Sequence, residues 1–130
     1  MTEIPSDELV SAARAACDNA YAPYSGFRVG AAVRGASGRV YAGCNVENAS
    51  YGATLCAERC AVAALVAAGE KKLTEVAVWT EGDVPAMPCG VCRQVLYELG
   101  EDVLVVAACK TAIRQTTLRE LLPDPFVLRR

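Results

Sequence analysis

The chain contains no histidine, and its 130 residues include only one tryptophan and two phenylalanines. Histidine is the side chain whose ordinary pKa places its proton exchange near neutral pH. Acid–base chemistry near pH 7 must therefore come from a carboxylate, lysine, tyrosine or cysteine with a shifted pKa, or from water on a metal ion. The scarcity of aromatic rings also leaves few surfaces on which successive nucleic-acid bases could stack.

A strong charge of either sign is also missing. The formal net charge is −2 at pH 7 and the sequence pI is about 5.2. Lysines and arginines form no run along the chain. Because nucleic-acid-binding domains usually carry clustered basic residues, the composition argues against a polynucleotide partner.

Long apolar stretches are absent too. No segment approaches the roughly 18 to 20 apolar residues that a membrane-spanning helix needs. The N-terminal sequence MTEIPSDELV lacks the basic and apolar regions of a secretory signal peptide. We therefore expect a soluble, cytoplasmic protein without a membrane partner. Because that compartment keeps thiols reduced, the seven cysteines are better interpreted as buried hydrophobes or metal ligands than as disulfides.

The length of 130 residues predicts a single domain over residues 1–130. Hydrophobic periodicity predicts the element order α-β-β-α-β-α-β-α. Ser6 and Asp7 are candidate caps of the first helix. A second helix is predicted from Thr54 to Ala68, and CGVCRQVLYEL predicts a third. The apolar run DVLVVAAC is typical of a strand buried on both faces. This alternation predicts an α/β fold in which helices cover a mixed sheet.

The residues with the clearest chemical pattern are cysteines at predicted helix starts. Cys89 and Cys92 have the spacing at which two thiolates can bind one metal ion. Cys56 lies at the start of the preceding helix. Three thiolates leave one zinc position open, as catalytic zinc sites do. The sequence therefore predicts a zinc site formed by these three residues.

Other interpretations of the cysteines remain open. Cys89 and Cys92 alone are also compatible with two buried thiols or with a redox pair. Cys60 lies one helical turn after Cys56 and could add a fourth ligand. Four ligands would make a closed structural zinc module that mediates protein contacts. We favour packing for Cys60, because the helix continues there with small apolar residues.

Two residues beside Cys56 suit catalysis on zinc. Zinc lowers the pKa of bound water to about 7, which supplies a nucleophile without histidine. Glu58 could carry protons from that water to a leaving group if its pocket raises its pKa. Three thiolates would leave the zinc site with a net negative charge. Arg59 could compensate that charge by donating hydrogen bonds to sulfur.

These segments match a known signature. CAE at Cys56 to Glu58 followed by PCGVC at Pro88 to Cys92 resembles the zinc deaminase pattern. Further blocks, PYSGFRVGAAV, CNVENASYG, CAER, PCGVCRQVLYE and LRELLP, extend over nearly the whole chain. Together they resemble the small homotetrameric cytidine deaminases. The resemblance implies a three-layer α/β/α sandwich with a mixed, roughly five-stranded sheet, one zinc ion per subunit, and a homotetramer.

The resemblance also assigns residues to the substrate. It implies ribose contacts from Asn45 and Glu47, a pyrimidine contact from Phe27, and backbone contacts to the base from Ala57. Tyr51 matches a tyrosine near the subunit junction. Phe126 matches an aromatic residue that reaches into a neighbouring subunit's active site, which would make each site composite.

The activity implied is hydrolytic deamination of free cytidine and 2′-deoxycytidine to the uridines, with release of ammonia, as in pyrimidine salvage. Zinc-bound hydroxide would attack carbon 4 of the ring while Glu58 moves the protons. Two features depart from the pattern. Cys60 replaces the usual threonine, and the tail PDPFVLRR resembles the end of blasticidin S deaminases. A modified cytosine nucleoside is therefore the alternative substrate.

Overall fold

The computed structural model describes residues 4–128, with side chains from residue 7 onward. The helices are α1 (Ile4–Cys17), α2 (Ala57–Ala67), α3 (Gly90–Leu99) and α4 (Leu118–Leu121). The strands are β1 (Val29–Gly35), β2 (Val40–Cys44), β3 (Leu73–Thr80), β4 (Leu104–Ala108) and β5 (Ile113–Thr117). A short 3-10 helix, Tyr51–Ala53, precedes α2. Among the described residues, each helix is too short or too polar to cross a bilayer.

The strands form one mixed sheet in the order β2-β1-β3-β4-β5. The β3 and β4 strands pair in parallel, and the other neighbouring strands pair antiparallel. A parallel pair needs a crossover connection, and here α3 supplies it. The connection from β3 to α3 carries Cys89 to the start of that helix.

Helices cover both faces of the sheet, as the three-layer prediction requires. On one face, α1 buries side chains against β1, β3 and β4: Leu9, Ala13, Cys17, Ala32, Ala77, Trp79 and Val106. On the other face, α2, α3 and α4 pack against the same three strands: Val62, Leu65, Leu96, Leu118, Val33, Val76 and Val105. The three-layer α/β/α fold is therefore confirmed. The single domain over residues 1–130 stays a prediction.

Three local expectations were wrong. The helix predicted from Thr54 begins at Ala57, because backbone hydrogen bonds with Val46 hold Leu55 extended. The first helix begins at Ile4, so Asp7 lies inside its first turn; the side chain of Ser6 lies outside the described residues. The strand β5 was missed because its sequence, IRQTT, is polar and mostly exposed and shows no apolar alternation.

Candidate active site

Three cysteines at the starts of two helices lie close together. The sulfur atoms of Cys56, Cys89 and Cys92 all lie within 4.8 Å of one another. The Cys56 and Cys89 sulfurs are 3.9 Å apart. Cys92 is fully buried and Cys89 is exposed, so the cluster opens towards solvent on one side. The structure thus brings together the three predicted ligands.

The local fold explains this convergence. Cys56 is the N-cap residue of α2 and Cys89 is the N-cap residue of α3, both with extended backbone angles. Cys92 follows in the first turn of α3. The free N–H groups and the positive dipole end of a helix start stabilise negative sulfur. Two helix N-termini therefore favour thiolates at this point.

The separation of two of the sulfurs matches that of a zinc site. Four ligands arranged tetrahedrally with zinc–sulfur bonds near 2.3 Å place sulfur atoms about 3.8 Å apart, close to the Cys56–Cys89 separation of 3.9 Å. Three thiolates leave a fourth position for water or substrate. The arrangement fits a catalytic zinc ion bound by Cys56, Cys89 and Cys92.

The two thiols of the Cys-x-x-Cys pair differ in acidity. Burial and the nearby Glu58 carboxylate raise the pKa of Cys92 above its ordinary range. Burial also acts to raise the pKa of Cys89, but hydrogen bonds from the backbone of Cys92 and from neighbouring thiols lower it on balance. Metal binding deprotonates coordinating thiols, and the positive charge of a divalent cation would offset the repulsion between the resulting thiolates. The crowding of acidic groups is consistent with a cation site.

Glu58 is the buried carboxylate of the site. It lies in the first turn of α2, two residues after Cys56, and is only 6% exposed. Burial raises its pKa above the usual range for glutamate, against smaller opposing effects from its own backbone N–H and from Arg59. A carboxyl with a raised pKa can both hold and release a proton near neutral pH. This is the environment that a proton carrier needs.

Arg59 contacts the metal-ligand segment directly. Its Nη2 atom lies 3.6 Å from the Cys56 sulfur and 3.1 Å from the carbonyl oxygen of Thr54. Its buried Nε has no hydrogen-bond partner among the described residues. The guanidinium therefore lies where it can compensate thiolate charge.

Cys60 is not part of the sulfur cluster in the described part of the chain. A side chain at Gly43 of β2 would place its Cβ 2.8 Å from the Cβ of Cys60 and 2.5 Å from the Ala61 nitrogen. The Cys60 side chain therefore packs over β2, where burial raises its pKa. This position agrees with packing and argues against a closed four-ligand site.

The predicted ribose residues lie on the segment beside the ligands. Val46 and Leu55 exchange backbone hydrogen bonds of 3.0 and 2.9 Å, which join this segment to the one ending at Cys56. Asn45 is nearly buried; its amide oxygen accepts from the Val29 N–H and its amide nitrogen donates to the Phe27 carbonyl, both at 2.9 Å. Asn45 thus also anchors the start of β1.

The carboxylate of Glu47 is bound by the loop before β1. One oxygen accepts the backbone N–H groups of Tyr24 and Ser25 at 2.9 and 3.1 Å, and the other accepts the Ser25 hydroxyl. These bonds, that of the Ser25 hydroxyl foremost, lower the pKa of Glu47. Glu47 is therefore held ionised.

A cavity of about 350 Å³ adjoins Glu47. Its lining consists of Tyr24, Ser25, Glu47, Asn48, Tyr51 and Thr54, with none of the three cysteines. The cavity is therefore formed by the loop before β1 and by the segment that precedes Cys56, which includes the predicted ribose residue Glu47. Its lining contains one carboxylate and no basic side chain.

The remaining predicted residues differ in exposure. Ala57 is fully buried at the start of α2, where its N–H has no partner within the helix. Phe27, Tyr51 and Phe126 are 46%, 83% and 70% exposed. Tyr51 lines the cavity, while Phe126 is attached to α3 through its carbonyl, which accepts from Gln94 at 2.8 Å. Within one chain, these aromatic rings are largely uncovered.

Sequence reasoning gave no role to Ser25 or Arg93. Arg93 donates from Nε to the Pro88 carbonyl at 2.7 Å and from Nη1 to the Leu121 carbonyl at 3.0 Å. It thereby ties the loop that carries Cys89 to the C-terminal segment. Both residues lie inside blocks already noted in the sequence, PYSGF and PCGVCRQ, but block membership does not reveal a hydrogen-bond partner.

Comparison with known proteins agrees with this geometry. The family profile described as "Cytidine and deoxycytidylate deaminase zinc-binding region" matches residues 5–119. A cytidine deaminase of Mycobacterium tuberculosis is 44% identical over 128 residues, which cover 98% of this chain and 94% of that protein. A cytidine deaminase of Sporosarcina psychrophila is 39% identical over 122 residues, covering 92% and 90%.

Solved structures give the same result. The crystal structure of a cytidine deaminase from Burkholderia pseudomallei superimposes with a TM-score of 0.88 at 47% identity, covering 97% of this chain and 100% of that one. The zinc-binding region matched by the family profile includes all three clustered cysteines, which are able to hold a metal ion, and zinc is the cofactor of that family. The chain therefore belongs to the cytidine and deoxycytidylate deaminase family of zinc enzymes.

Proposed function

We propose that this protein catalyses the hydrolytic deamination of cytidine and 2′-deoxycytidine to uridine and 2′-deoxyuridine. One observation carries the proposal. Three cysteine sulfurs lie within 4.8 Å of one another, and Glu58, two residues after Cys56, has an almost fully buried carboxylate. Relatives that match over nine-tenths of their length are cytidine deaminases. A three-thiolate site with an open ligand position and a nearby proton carrier suits a hydrolytic enzyme better than a structural zinc module.

The chemistry divides between the metal and the chain. Bound zinc supplies a water molecule acidic enough to act as nucleophile near pH 7. Overall, the oxygen of water becomes bonded to carbon 4 of the ring, and the bond from carbon 4 to the amino nitrogen breaks to release ammonia. Glu58 carries the protons, because its carboxyl can accept the two protons of the water in turn and deliver one to the ring nitrogen and the other to the departing amine.

The cavity favours a nucleoside over a nucleotide. A phosphorylated substrate needs cationic side chains or helix N-termini to bind its phosphate. The six residues that line the cavity offer no cation, and Glu47 is ionised there. A neutral sugar hydroxyl can donate to such a carboxylate, whereas a phosphate would be repelled. We therefore propose that Glu47 and Asn45 contact the ribose and that Phe27 and Ala57 contact the base.

We propose a cytoplasmic homotetramer with composite active sites. Tyr51 and Phe126 support this, because they expose 83% and 70% of their surface in the isolated chain. Large exposed aromatic side chains are typical of surfaces that bind a partner. In the oligomer, a neighbouring subunit would cover both rings. The ring of Phe126 would reach the active site of that neighbour.

An ultraviolet absorbance assay tests the activity. The purified enzyme is incubated with cytidine, 2′-deoxycytidine, deoxycytidylate or blasticidin S, before and after chelation and after zinc is restored. We expect the cytidine chromophore to be lost with the two nucleosides, activity to disappear on chelation, and zinc to restore it. Turnover of blasticidin S alone would assign the alternative substrate. Persistence of full activity without metal would contradict a zinc mechanism.

A further inference from the structure

One hydroxyl group joins two of the residues proposed to contact the substrate, Glu47 and Phe27. The Ser25 hydroxyl donates to the Glu47 carboxylate, and its oxygen accepts the backbone N–H of Phe27 at 2.9 Å. The carbonyl of Phe27 accepts from Asn45 at 2.9 Å. The backbone of Phe27 is therefore held on both sides by polar side chains, and one of these side chains also holds Glu47.

The hydrogen bonds at Glu47 leave little freedom to its carboxylate. A carboxylate has about four acceptor positions, and Tyr24, Ser25 N–H and the Ser25 hydroxyl take three of them. Both backbone donors bind the same oxygen, Oε1, while the Ser25 hydroxyl binds Oε2. Ser25 therefore supplies the bond at Oε2 that fixes the rotation of the carboxylate, and one acceptor position stays available for a ligand.

The same arrangement occurs a second time, away from the sulfur cluster. The Ser37 N–H and hydroxyl donate to the two oxygens of Glu70 at 3.3 and 2.5 Å, and the Ser37 oxygen accepts the Arg39 N–H at 3.2 Å. This second serine holds the turn between β1 and β2. It provides a matched control, because its bonds repeat those of Ser25 while its carboxylate partner lines no part of the cavity beside Glu47.

We propose that Ser25 is a positioning residue for substrate recognition. Its hydroxyl orients Glu47 towards the sugar and fixes the backbone of Phe27, so that the ribose and pyrimidine contacts keep a constant separation. This inference rests on the proposed nucleoside substrate. Positioned polar groups bind a ligand more tightly when they are already oriented, because less freedom is lost on binding. The role of Ser25 should therefore appear in substrate affinity and sugar discrimination.

The test compares Ser25→Ala, Ser25→Thr and Ser37→Ala with the unchanged zinc-loaded enzyme. Each enzyme is assayed with cytidine and with 2′,3′-dideoxycytidine, which lacks the 2′ and 3′ hydroxyls and keeps the 5′ hydroxyl. We expect Ser25→Ala to raise KM for cytidine about tenfold, the effect of losing one hydrogen bond to a charged group, with little change in kcat. KM for the dideoxy compound should change much less, so discrimination between the two nucleosides falls.

The other two variants give the controls. Ser25→Thr keeps the hydroxyl at an exposed position and should restore both KM and discrimination. Ser37→Ala removes the corresponding serine–glutamate bonds and should leave KM unchanged. Equal discrimination in Ser25→Ala and the unchanged enzyme would overturn the proposal, as would a Ser25→Thr enzyme no better than Ser25→Ala.

Failure of the two proposals can be separated. An unchanged, zinc-loaded enzyme that leaves cytidine intact would refute the proposed function before any variant is made. An active enzyme with insensitive Ser25 variants would refute only the positioning role. Should Ser25→Ala fail to fold, Ser25→Cys keeps the side-chain volume with a weaker donor, and the same loss of discrimination is expected from it.

Discussion

At the scale of single residues, Glu58 combines burial with a position beside the metal ligands. Replacing Glu58 with Gln preserves its shape but removes the titratable group. We expect zinc content to stay unchanged while kcat for cytidine falls at least about 100-fold, the lower range for loss of a positioned proton carrier. Metal analysis and steady-state kinetics measure the two quantities. The control is Glu98→Gln, an exposed glutamate of α3, which should retain full activity.

Arg59 is the second residue whose environment predicts a measurable role. Its guanidinium lies 3.6 Å from the Cys56 sulfur. Loss of a group that hydrogen-bonds a metal ligand typically costs about 10- to 100-fold in metal affinity or activity. We expect a loss of that size from Arg59→Ala, measured by chelator competition and by kcat. Arg119→Ala removes an exposed arginine paired with Asp102 and should change neither; an equal effect from both would contradict charge compensation.

Cys56 and Cys60 can be distinguished by their separate surroundings. Cys56 belongs to the sulfur cluster, whereas Cys60 packs over β2 near Gly43. We expect Cys56→Ala to lose bound zinc and Cys60→Ala to keep one equivalent of it, as determined by metal analysis of the purified variants. Zinc loss in Cys60→Ala without unfolding would revive the closed, structural interpretation of the site.

The residues that could be predicted from sequence share one property. Their chemistry follows from residue type and from short spacing at helix starts, and both can be read from the sequence. These residues are Cys56, Glu58, Cys89 and Cys92. Ser25 acts through Glu47, which is 22 residues away, and any serine in a loop would look the same. A contact between distant segments that no motif marks, such as that of Ser25 with Glu47, therefore had to be found in the structure.

At the scale of elements, helix starts carry the site. The N-termini of α2 and α3 each present a cysteine as N-cap. The predicted start of α2 was wrong by three residues because propensity favoured helix from Thr54, while pairing with Val46 kept Leu55 extended. That extended residue matters for function, since it delivers Cys56 to the helix start. Tertiary pairing overrides local propensity here.

The contact between β2 and α2 gives an element-scale prediction. A Cβ at Gly43 would lie 2.5 Å from the Ala61 nitrogen and 2.9 Å from the Ala57 carbonyl oxygen, so α2 would have to move. We expect Gly43→Ala to lower the free energy of unfolding by about 1 to 3 kcal/mol, as overpacking does. Because α2 begins with the site residues, kcat should fall as well.

The matched control for that substitution is Gly52→Ala. A Cβ at Gly52 would meet no atom within 4 Å, and its φ angle is not positive. Denaturant unfolding followed by circular dichroism measures stability, and the cytidine assay measures activity below the unfolding transition. If Gly43→Ala were as stable as Gly52→Ala, the close packing between β2 and α2 would not limit the position of the helix.

At the scale of the whole molecule, the sheet determines which segments can meet. The antiparallel strands β2 and β1 lie next to β3, and the parallel β3 and β4 are joined through α3. This order brings the starts of α2 and α3 to the same place, although Cys56 and Cys89 are far apart in sequence. The alternation of apolar segments predicted the layers, but β5 was missed because a polar edge strand has no buried face to reveal it.

Assembly gives the last prediction. If Phe126 completes the site of a neighbouring subunit, Glu58→Gln and Phe126→Ala damage the same site from different chains. Each variant alone should be weakly active, with Phe126→Ala reduced about 5- to 150-fold if its ring stacks on the base. Co-expression of the two chains with different affinity tags yields hybrid oligomers. Some sites in these hybrids combine an intact Glu58 from one chain with an intact Phe126 from the other.

We therefore expect hybrids purified through both tags to be more active than the sum of the two variants. The control pair is Glu58→Gln with Cys56→Ala. Both residues lie at the start of α2, so each site takes both of them from the same chain. Every site in these control hybrids therefore carries one of the two substitutions. A dual-tagged Phe126 hybrid without added activity would place that ring in its own subunit's site. Failure to recover any dual-tagged species would contradict assembly of the two variants into a common oligomer.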